Sequence, residues 1–404
     1  MMVAFYYSGS IDSEYRRLYE YLHPGKPARM FSENSIRIRV KEWTMARKVL
    51  LVIIASGLIF VSLTASRLAA QSLGPGPKLS VLVSSHPIPS HPQYAKLDAV
   101  YFQELIPQRS NGRIEVRGRT WSEIGLTGYE IIRLTRGGVI DIGNSPLAYI
   151  AQDVPLFDAA DLPGLNPTVE QARRVFNALV PIANEELKRF NTRIIGSNPY
   201  PAQIVFCRHP LAGLADLKGR RVRTFGNALQ SLVAAVGGIP VSIAYAETYT
   251  ALERGVVDCA ITGSSSGNAA HWHEVTTHQY TMPLGWAVSG YYANLEWWNK
   301  LPPDARTFLA ATWRELEDRQ WQFGGVELTQ DGIDCNSGRP ECKIGKRAKR
   351  PMVEVRPTES DRVRLREILT EVVIPNWVKQ CGPRCGEIYN SVIAPLSGIR
   401  YVPR

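Results

Sequence analysis

The longest apolar run of this 404-residue chain lies near its start: Val49 to Ser66 is eighteen residues without a charge. Met45-Ala46-Arg47-Lys48 precedes it, and Arg67-Leu68-Ala69-Ala70-Gln71 follows. A basic segment, an apolar run and closing small residues are the three parts of a secretory signal. Residues 45–70 are therefore expected to direct export to the periplasm and to be cleaved, although Leu68 sits where a smaller residue is preferred. Eighteen apolar residues also just suffice to span a bilayer, so a retained membrane anchor is the alternative. No polybasic stop signal follows the run, and no Cys near its end offers a lipid attachment point. Residues 1–44 carry no sustained apolar period and contain Pro24, Gly25, Lys26 and Pro27. They read as a mis-assigned start upstream of Met45 or a short cytoplasmic tail.

Beyond the signal the pattern alternates between strands and helices. Leu79 to Ser84 is β-rich, and Tyr94 to Ile106 has helical spacing. After Gly112 comes Ile114-Glu115-Val116. A helix through Ile131, Ile132 and Leu134 ends at Gly137-Gly138, and Val139 to Ile142 is expected to be a strand. Val169 to Phe190 is a longer amphipathic helix, followed by strand Arg193 to Ile195. Later come strand Ala260 to Thr262, a polar loop from Gly263 to Asn268 and a strand from Trp286 to Asn294. A long helix from Pro303 to about Gln330 and a last helix from Asp361 to Trp377 complete the pattern. Such alternation predicts an α/β fold with mostly parallel sheets. One stretch echoes another: Leu134-Thr135-Arg136-Gly137-Gly138-Val139-Ile140-Asp141 resembles Leu252-Glu253-Arg254-Gly255-Val256-Val257-Asp258. In both, a helix closes on Arg-Gly, where Gly suits a left-handed cap, and a strand carrying Asp follows. The repetition suits two similar lobes.

Charge and cysteines narrow the function. The formal charge of +10 would fit a nucleic-acid partner, but residues 1–70 hold 10 basic and 5 acidic side chains, leaving 37 against 32 for the remaining 334. That surplus is mild for a body of this size. Lys346-Arg347-Ala348-Lys349-Arg350 reads as solvated surface. All six Cys lie beyond the signal, as expected of an exported chain with disulfides. Six allow fifteen connectivities. Locality favours Cys335 with Cys342 and Cys381 with Cys385, leaving Cys207 and Cys259. Zinc in the last four is the rival, but neither pair has the usual two-residue spacing.

Enzyme motifs are missing: there is no phosphate loop, dinucleotide glycine fingerprint, nucleophile elbow or metalloprotease His-Glu pair. His271, His273 and His278 cluster in sequence without carboxylate or Cys spacing to complete a metal set. Neither a cofactor nor a metal is expected. The informative stretch is Leu214-Ala215-Asp216-Leu217-Lys218-Gly219-Arg220-Arg221-Val222-Arg223-Thr224, followed by Val236-Gly237-Gly238-Ile239-Pro240-Val241 and Tyr245-Ala246-Glu247-Thr248-Tyr249-Thr250-Ala251-Leu252-Glu253-Arg254-Gly255-Val256-Val257-Asp258. In the order and spacing of these blocks, behind a signal peptide, the chain resembles the solute-binding proteins of tripartite ATP-independent periplasmic (TRAP) transporters. The likeness runs from the first strand through Gly112-Arg113-Ile114 to the C-terminal helix.

The resemblance implies a two-lobed periplasmic binding protein fold with discontinuous lobes joined by hinge strands and a long helix. The first lobe would hold 78–201 and 288–325, and the second 202–287 and 326–404. It also implies that Arg223 pairs with a ligand carboxylate, for which a planar guanidinium fork is suited. Asn227 falls at a polar contact, Tyr245 where an aromatic packs on the ligand, and Thr262 where many relatives carry Asn. Asn144 and Ser145 end the equivalent strand of the first lobe, and His86 follows its first strand. Gln203 stands near where well-studied members hold a second cation. Cys207 and Cys259 would sit on neighbouring strands of the second lobe. The implied protein is a monomeric, non-enzymatic carrier of a small organic acid that serves TRAP membrane subunits. The alternatives are a binding protein of an ATP-driven transporter, an exported two-lobed enzyme using the cleft for catalysis, and an anchored sensor.

Overall fold

The computed structural model describes residues 72–403. The expected signal at 45–70 and the leader at 1–44 lie outside the described residues.

Two mixed sheets organise the chain. The first begins with β1 (Leu79–Ser84), β2 (Ile114–Arg119), β3 (Ile142–Pro146) and β4 (Thr192–Asn198). The chain then moves to the second sheet through β5 (Gln203–Cys207), β6 (Arg221–Thr224), β7 (Ile239–Ser242), β8 (Cys259–Gly263) and β9 (His278–Tyr280). It returns to the first with β10 (Ser289–Asn294) and closes on the second with β11 (Val353–Val355). The strand orders are β2-β1-β3-β10-β4 and β11-β9-β5-β8-β6-β7. In the first sheet β1 runs parallel to β2 and β3, whereas β10 is antiparallel to β3 and β4. In the second, β6 is parallel to β7 and β8, whereas β5 is antiparallel to β8 and β9. The chain thus crosses from sheet to sheet several times, and the fold is a two-lobed α/β binding-protein architecture.

The central strands are buried on both faces, as β3, β5 and β8 show, while edge strand β2 alternates buried and exposed positions. Helix α1 (Val169–Leu187) buries Ala172, Val175, Phe176, Leu179 and Ala183 along one stripe. Each such large apolar side chain contributes about 1.5–3 kcal/mol relative to exposure. Thr168 caps its start by accepting from the Gln171 N–H at 3.3 Å. Helices α2 (Asn227–Ala235), α3 (Tyr245–Glu253) and α4 (Ser264–Ala269) flank the second sheet. Helix α5 (Pro303–Gln320) lays Ala305, Leu309, Trp313 and Leu316 in the first lobe's core, where Trp313 stacks on Phe102 at 5.9 Å. It continues through a π-helical turn at Trp321–Glu327 into α6 (Leu328–Asn336), which packs against α4 of the other lobe. One helical run of about 50 Å, at 1.5 Å per residue, therefore ties the lobes. The C-terminal helices α7 (Glu359–Ile368) and α8 (Ile374–Cys381) lie over both: Trp377 Nε1 donates to Pro155 O at 2.8 Å, and Asp361 Oδ1 accepts from Leu214 N at 3.1 Å.

Two expected elements differ. Val139 to Asp141 is a bend, and the strand begins only at Ile142. Val139 is exposed, and the Asp141 carboxylate instead accepts from the Leu82 N–H of β1 at 2.7 Å. The polar stretch after Gly263 forms α4 rather than a loop: Gly332 lets α6 approach its backbone closely, and the Ser264 hydroxyl donates to Thr329 O of α6 at 2.8 Å. The echoed Asp residues do the same work in both lobes, since Asp258 Oδ2 accepts from Arg221 N at 2.8 Å. The left-handed cap falls on Gly138 in the first copy (φ +72°) and Gly255 in the second (φ +70°).

Disulfides join Cys207 to Cys259, Cys335 to Cys342 and Cys381 to Cys385. The first links facing residues of β5 and β8. Among the described residues, no helix is long and apolar enough to cross a membrane.

Candidate functional site

Parallel strands of an α/β sheet converge their carboxyl ends on a crevice, where ligands of such folds bind. Here the residues just past β1, β2, β3 and β6, with others from the crossing segments, line a cavity that is partly open to solvent, with about 360 Å³ of empty space counting that open solvent. The first lobe contributes Pro87, Trp121, Pro146, Tyr149 and Tyr200. The second contributes Gln203, Arg223, Phe225, Tyr245, Thr262 and Ser266, and Ala287 comes from the return crossing. The lobes touch around it. His91 Nε2 lies 3.1 Å from Ser266 Oγ, and Tyr129 OH donates to Phe225 O at 3.4 Å.

Arg223 dominates the electrostatics. It sits on β6, parallel to β7 and β8, and is only 1% exposed. Its Nε donates to Ile243 O and its Nη1 to Ile261 O, each at 2.8 Å. The guanidinium lies 5.2 Å from the Phe225 ring and 5.8 Å from the Trp272 ring, both within cation–π reach. No carboxylate pairs with it among the described residues, and its Nη2 has no hydrogen-bond partner. A buried charge without a counter-ion is costly, so the chemistry of this position is suited to an anion.

Of the residues singled out from sequence, Arg223, Tyr245 and Thr262 meet on the cavity wall. Tyr245 opens α3, and its hydroxyl donates to Ser266 O at 2.6 Å while burial pushes its ionisation upward. His86 stands one layer behind the wall: its Nδ1 lies 3.2 Å from the hydroxyl of wall residue Tyr200. Burial and the neighbouring His91 hold its pKa well below the usual imidazole value, and His91, stacked on it at 5.2 Å, is lowered to about 3 by burial. Both rings are therefore neutral at neutral pH. Asn144 and Ser145 do not reach the wall. The Asn144 side chain donates within the first sheet, to Asn198 Oδ1 at 2.8 Å and Gly290 O at 3.1 Å, and its backbone carbonyl accepts from Trp121 Nε1. Asn227 starts α2, half-buried and outside the wall.

The reading from sequence missed the aromatic lining of Trp121, Tyr149, Tyr200 and Phe225. The available signal was position, since each follows the end of a strand by one to three residues. An adjoining, largely apolar cavity shares Gln203, Phe225 and Ala287 with the first and is also lined by Asp158 and Asp161. Burial raises both carboxyls to about 7, and the Asp161 charge adds to the rise at Asp158. Asp161 Oδ2 also accepts from Trp286 N at 2.7 Å, which holds the crossing segment in place.

Away from the cavity, His271, His273 and Glu274 bring one donor atom each within 4.8 Å of one another. His271 Nδ1 is 2.9 Å from Glu274 Oε1, and its Nε2 is 3.1 Å from Lys346 Nζ. His278, the first residue of β9, is not part of this group; its Nδ1 lies 2.8 Å from Thr277 Oγ1.

The family described as bacterial extracellular solute-binding protein, family 7, matches residues 84–325. A solute-binding protein of Sulfitobacter sp. strain NAS-14.1 is 27% identical over 254 residues, covering 58% of this chain and 73% of that protein. The crystal structure of DctP7, a Bordetella pertussis extracytoplasmic solute receptor binding pyroglutamic acid, superposes with a TM-score of 0.67 at 20% identity, covering 79% of this chain and 99% of that one. The sugar acid binding protein DctPAm of Advenella mimigardefordensis strain DPN7T, in complex with galactonate, gives a TM-score of 0.70 at 16% identity, over 80% of this chain and 100% of that one. At these identities the two structures speak for the shared fold.

Proposed function

The chain belongs to the bacterial extracellular solute-binding proteins of family 7, and from that premise we propose that it captures a small organic acid in the periplasm and delivers it to TRAP membrane subunits. It is a solute receptor and not an enzyme. The observation that carries the organic-acid reading is Arg223: a buried guanidinium on the wall of the cavity, with two donors held by backbone carbonyls and Nη2 free. A ligand carboxylate supplies the missing counter-charge at this buried position, where the ion pair gains strength. The structural neighbours that carry pyroglutamic acid and galactonate support an acidic ligand.

The lobes follow the two sheets in this reading, with 78–201 and 288–325 forming the first and 202–287 and 326–404 the second. Arg223, Tyr245 and Thr262 act from the second lobe. Asn144 and His86 support the facing wall from behind through Trp121 and Tyr200, Ser145 precedes wall residue Pro146, and Asn227 lies between Gly226 and Ala228 of the neighbouring cavity.

The test is native mass spectrometry of protein purified without added ligand, followed by calorimetry with the acid it releases. We expect one organic acid to bind one protein molecule and to be lost from Arg223→Ala. A neutral or cationic co-purified solute that binds regardless of Arg223 would overturn the reading.

A further inference from the structure

Resting on the reading of Arg223 as a carboxylate anchor, we infer that the ligand is a monocarboxylate with a compact, ring-shaped and largely apolar body. Dicarboxylates and open-chain polyhydroxy acids are excluded from the site.

The inference follows from what the cavity wall still has to offer once its internal bonds are made. Arg223 is the only Lys or Arg among the described residues of that wall. A second ligand carboxylate would be buried with no cation to meet it, at the cost of an uncompensated charge. The position facing the crossing segment is filled by Gln203, whose Nε2 already donates to Pro201 O at 2.8 Å. Hydroxyl groups fare little better. Tyr245 OH has given its proton to Ser266 O, and the Ser266 and Tyr200 hydroxyls each share a hydrogen bond with a histidine, so these groups keep acceptor lone pairs but have little donor capacity left for a ligand. What remains is Tyr149 OH beside Arg223, Thr262 Oγ1 and the Gln203 carbonyl. A sugar acid buries four or five hydroxyls, and each one left unpaired weakens binding. Sites built for hydroxyl recognition discriminate strongly, but they do so with dedicated partners. This wall lacks enough of them.

The rest of the wall is apolar and ringed. Trp121 lies 6.0 Å from Tyr149, and Tyr149 meets Phe225 edge-on at 6.1 Å. Tyr245 is braced from behind by Trp272 at 5.8 Å. Aromatic walls at such angles receive a ring by stacking and edge contacts.

Calorimetry on the full chain, dialysed free of co-purified solute, uses three probe classes: benzoate, furan-2-carboxylate and cyclohexanecarboxylate; succinate and fumarate; gluconate and glycerate. The expected result is that the best ring monocarboxylate binds at least about tenfold more tightly than any member of the other classes, a ratio typical of one unmet polar group. Tighter binding of succinate, fumarate or gluconate overturns this inference and leaves the carboxylate anchor standing. Binding of none of the acids sinks the anchor itself, and the inference with it. As a second arm, Gln203→Arg adds a second cation to the same wall. Succinate affinity should rise about tenfold while that of the ring acid falls; no gain for succinate overturns the counter-charge argument.

Discussion

Arg223 is held before any ligand arrives, because Ile243 O and Ile261 O fix its plane. The side chain thus loses little freedom on binding, and its charge waits without a partner. Replacing it by Ala leaves the ligand carboxylate buried and unpaired. We expect a loss of roughly 3–5 kcal/mol, more than a hundredfold in affinity, by calorimetry with the natural acid. Arg223→Lys should also bind poorly, since an ammonium cannot reach two carbonyls and present a planar donor pair together. Near-wild-type affinity in either variant would remove Arg223 from its role. Asp158 offers a second test at this scale. Its folded pKa of about 7 lies above that of an unfolded aspartate, so the folded state holds the extra proton. The stability this confers is complete below about pH 4 and is lost as pH rises through 7. Asp158→Asn should therefore stabilise the protein at pH 8, by on the order of 2–4 kcal/mol, and change little at pH 4. Melting curves at the two pH values that shift equally would disprove the buried-charge account.

Elements are locked by close approach and by covalent ties. On α6, a Cβ added at Gly332 would overlap the backbone of Ser264 and Ser265 on α4. Backbone atoms cannot rotate away, so Gly332→Ala should cost about 3 kcal/mol or more through overpacking. A melting temperature unchanged in this variant would mean that α4 and α6 are free to separate. The Cys207–Cys259 bond spans 52 residues of chain between two neighbouring strands. Chain entropy values a loop of that length at about 4 kcal/mol. Cys207→Ala with Cys259→Ala should lower the denaturant midpoint accordingly, and an unshifted midpoint would assign the lobe's stability to its apolar core alone.

At the scale of the whole molecule, ligand capture is a matter of closure. The His91–Ser266 and Tyr129–Phe225 contacts join residues from opposite sides of the cavity, and the run from α5 to α6 bridges both lobes. A ligand favours the closed arrangement only if it contacts that arrangement better than the open one. About 5.5 kcal/mol of such difference moves the balance from 1:99 to 99:1, which an ion pair and a few ring contacts can supply. Small-angle scattering should give a smaller radius of gyration with ligand than without. Equal radii at saturation, with binding confirmed by calorimetry, would argue against closure, and turnover of the acid would favour the exported-enzyme alternative.

Local chemistry made much of this legible in sequence. The alternation of strands and helices, the Arg-Gly junctions and the Asp residues beyond them are short-range signals, because a helix cap and a strand-edge carboxylate act within a few residues. Arg223 was legible through the pattern of blocks around it. Other features depend on partners far along the chain. The polar run at Ser264 becomes a helix because α6, more than sixty residues later, packs closely on its backbone. Val139 leaves its expected strand because Asp141 bonds to Leu82. Asn144 turns to Asn198 and Gly290 rather than to the cavity. The aromatic box around Arg223 gathers Trp121, Tyr149, Tyr200, Phe225 and Tyr245 from five separate segments. Each of these outcomes is a competition for hydrogen bonds and buried surface between residues that only the folded chain brings together, and there the tertiary structure decides.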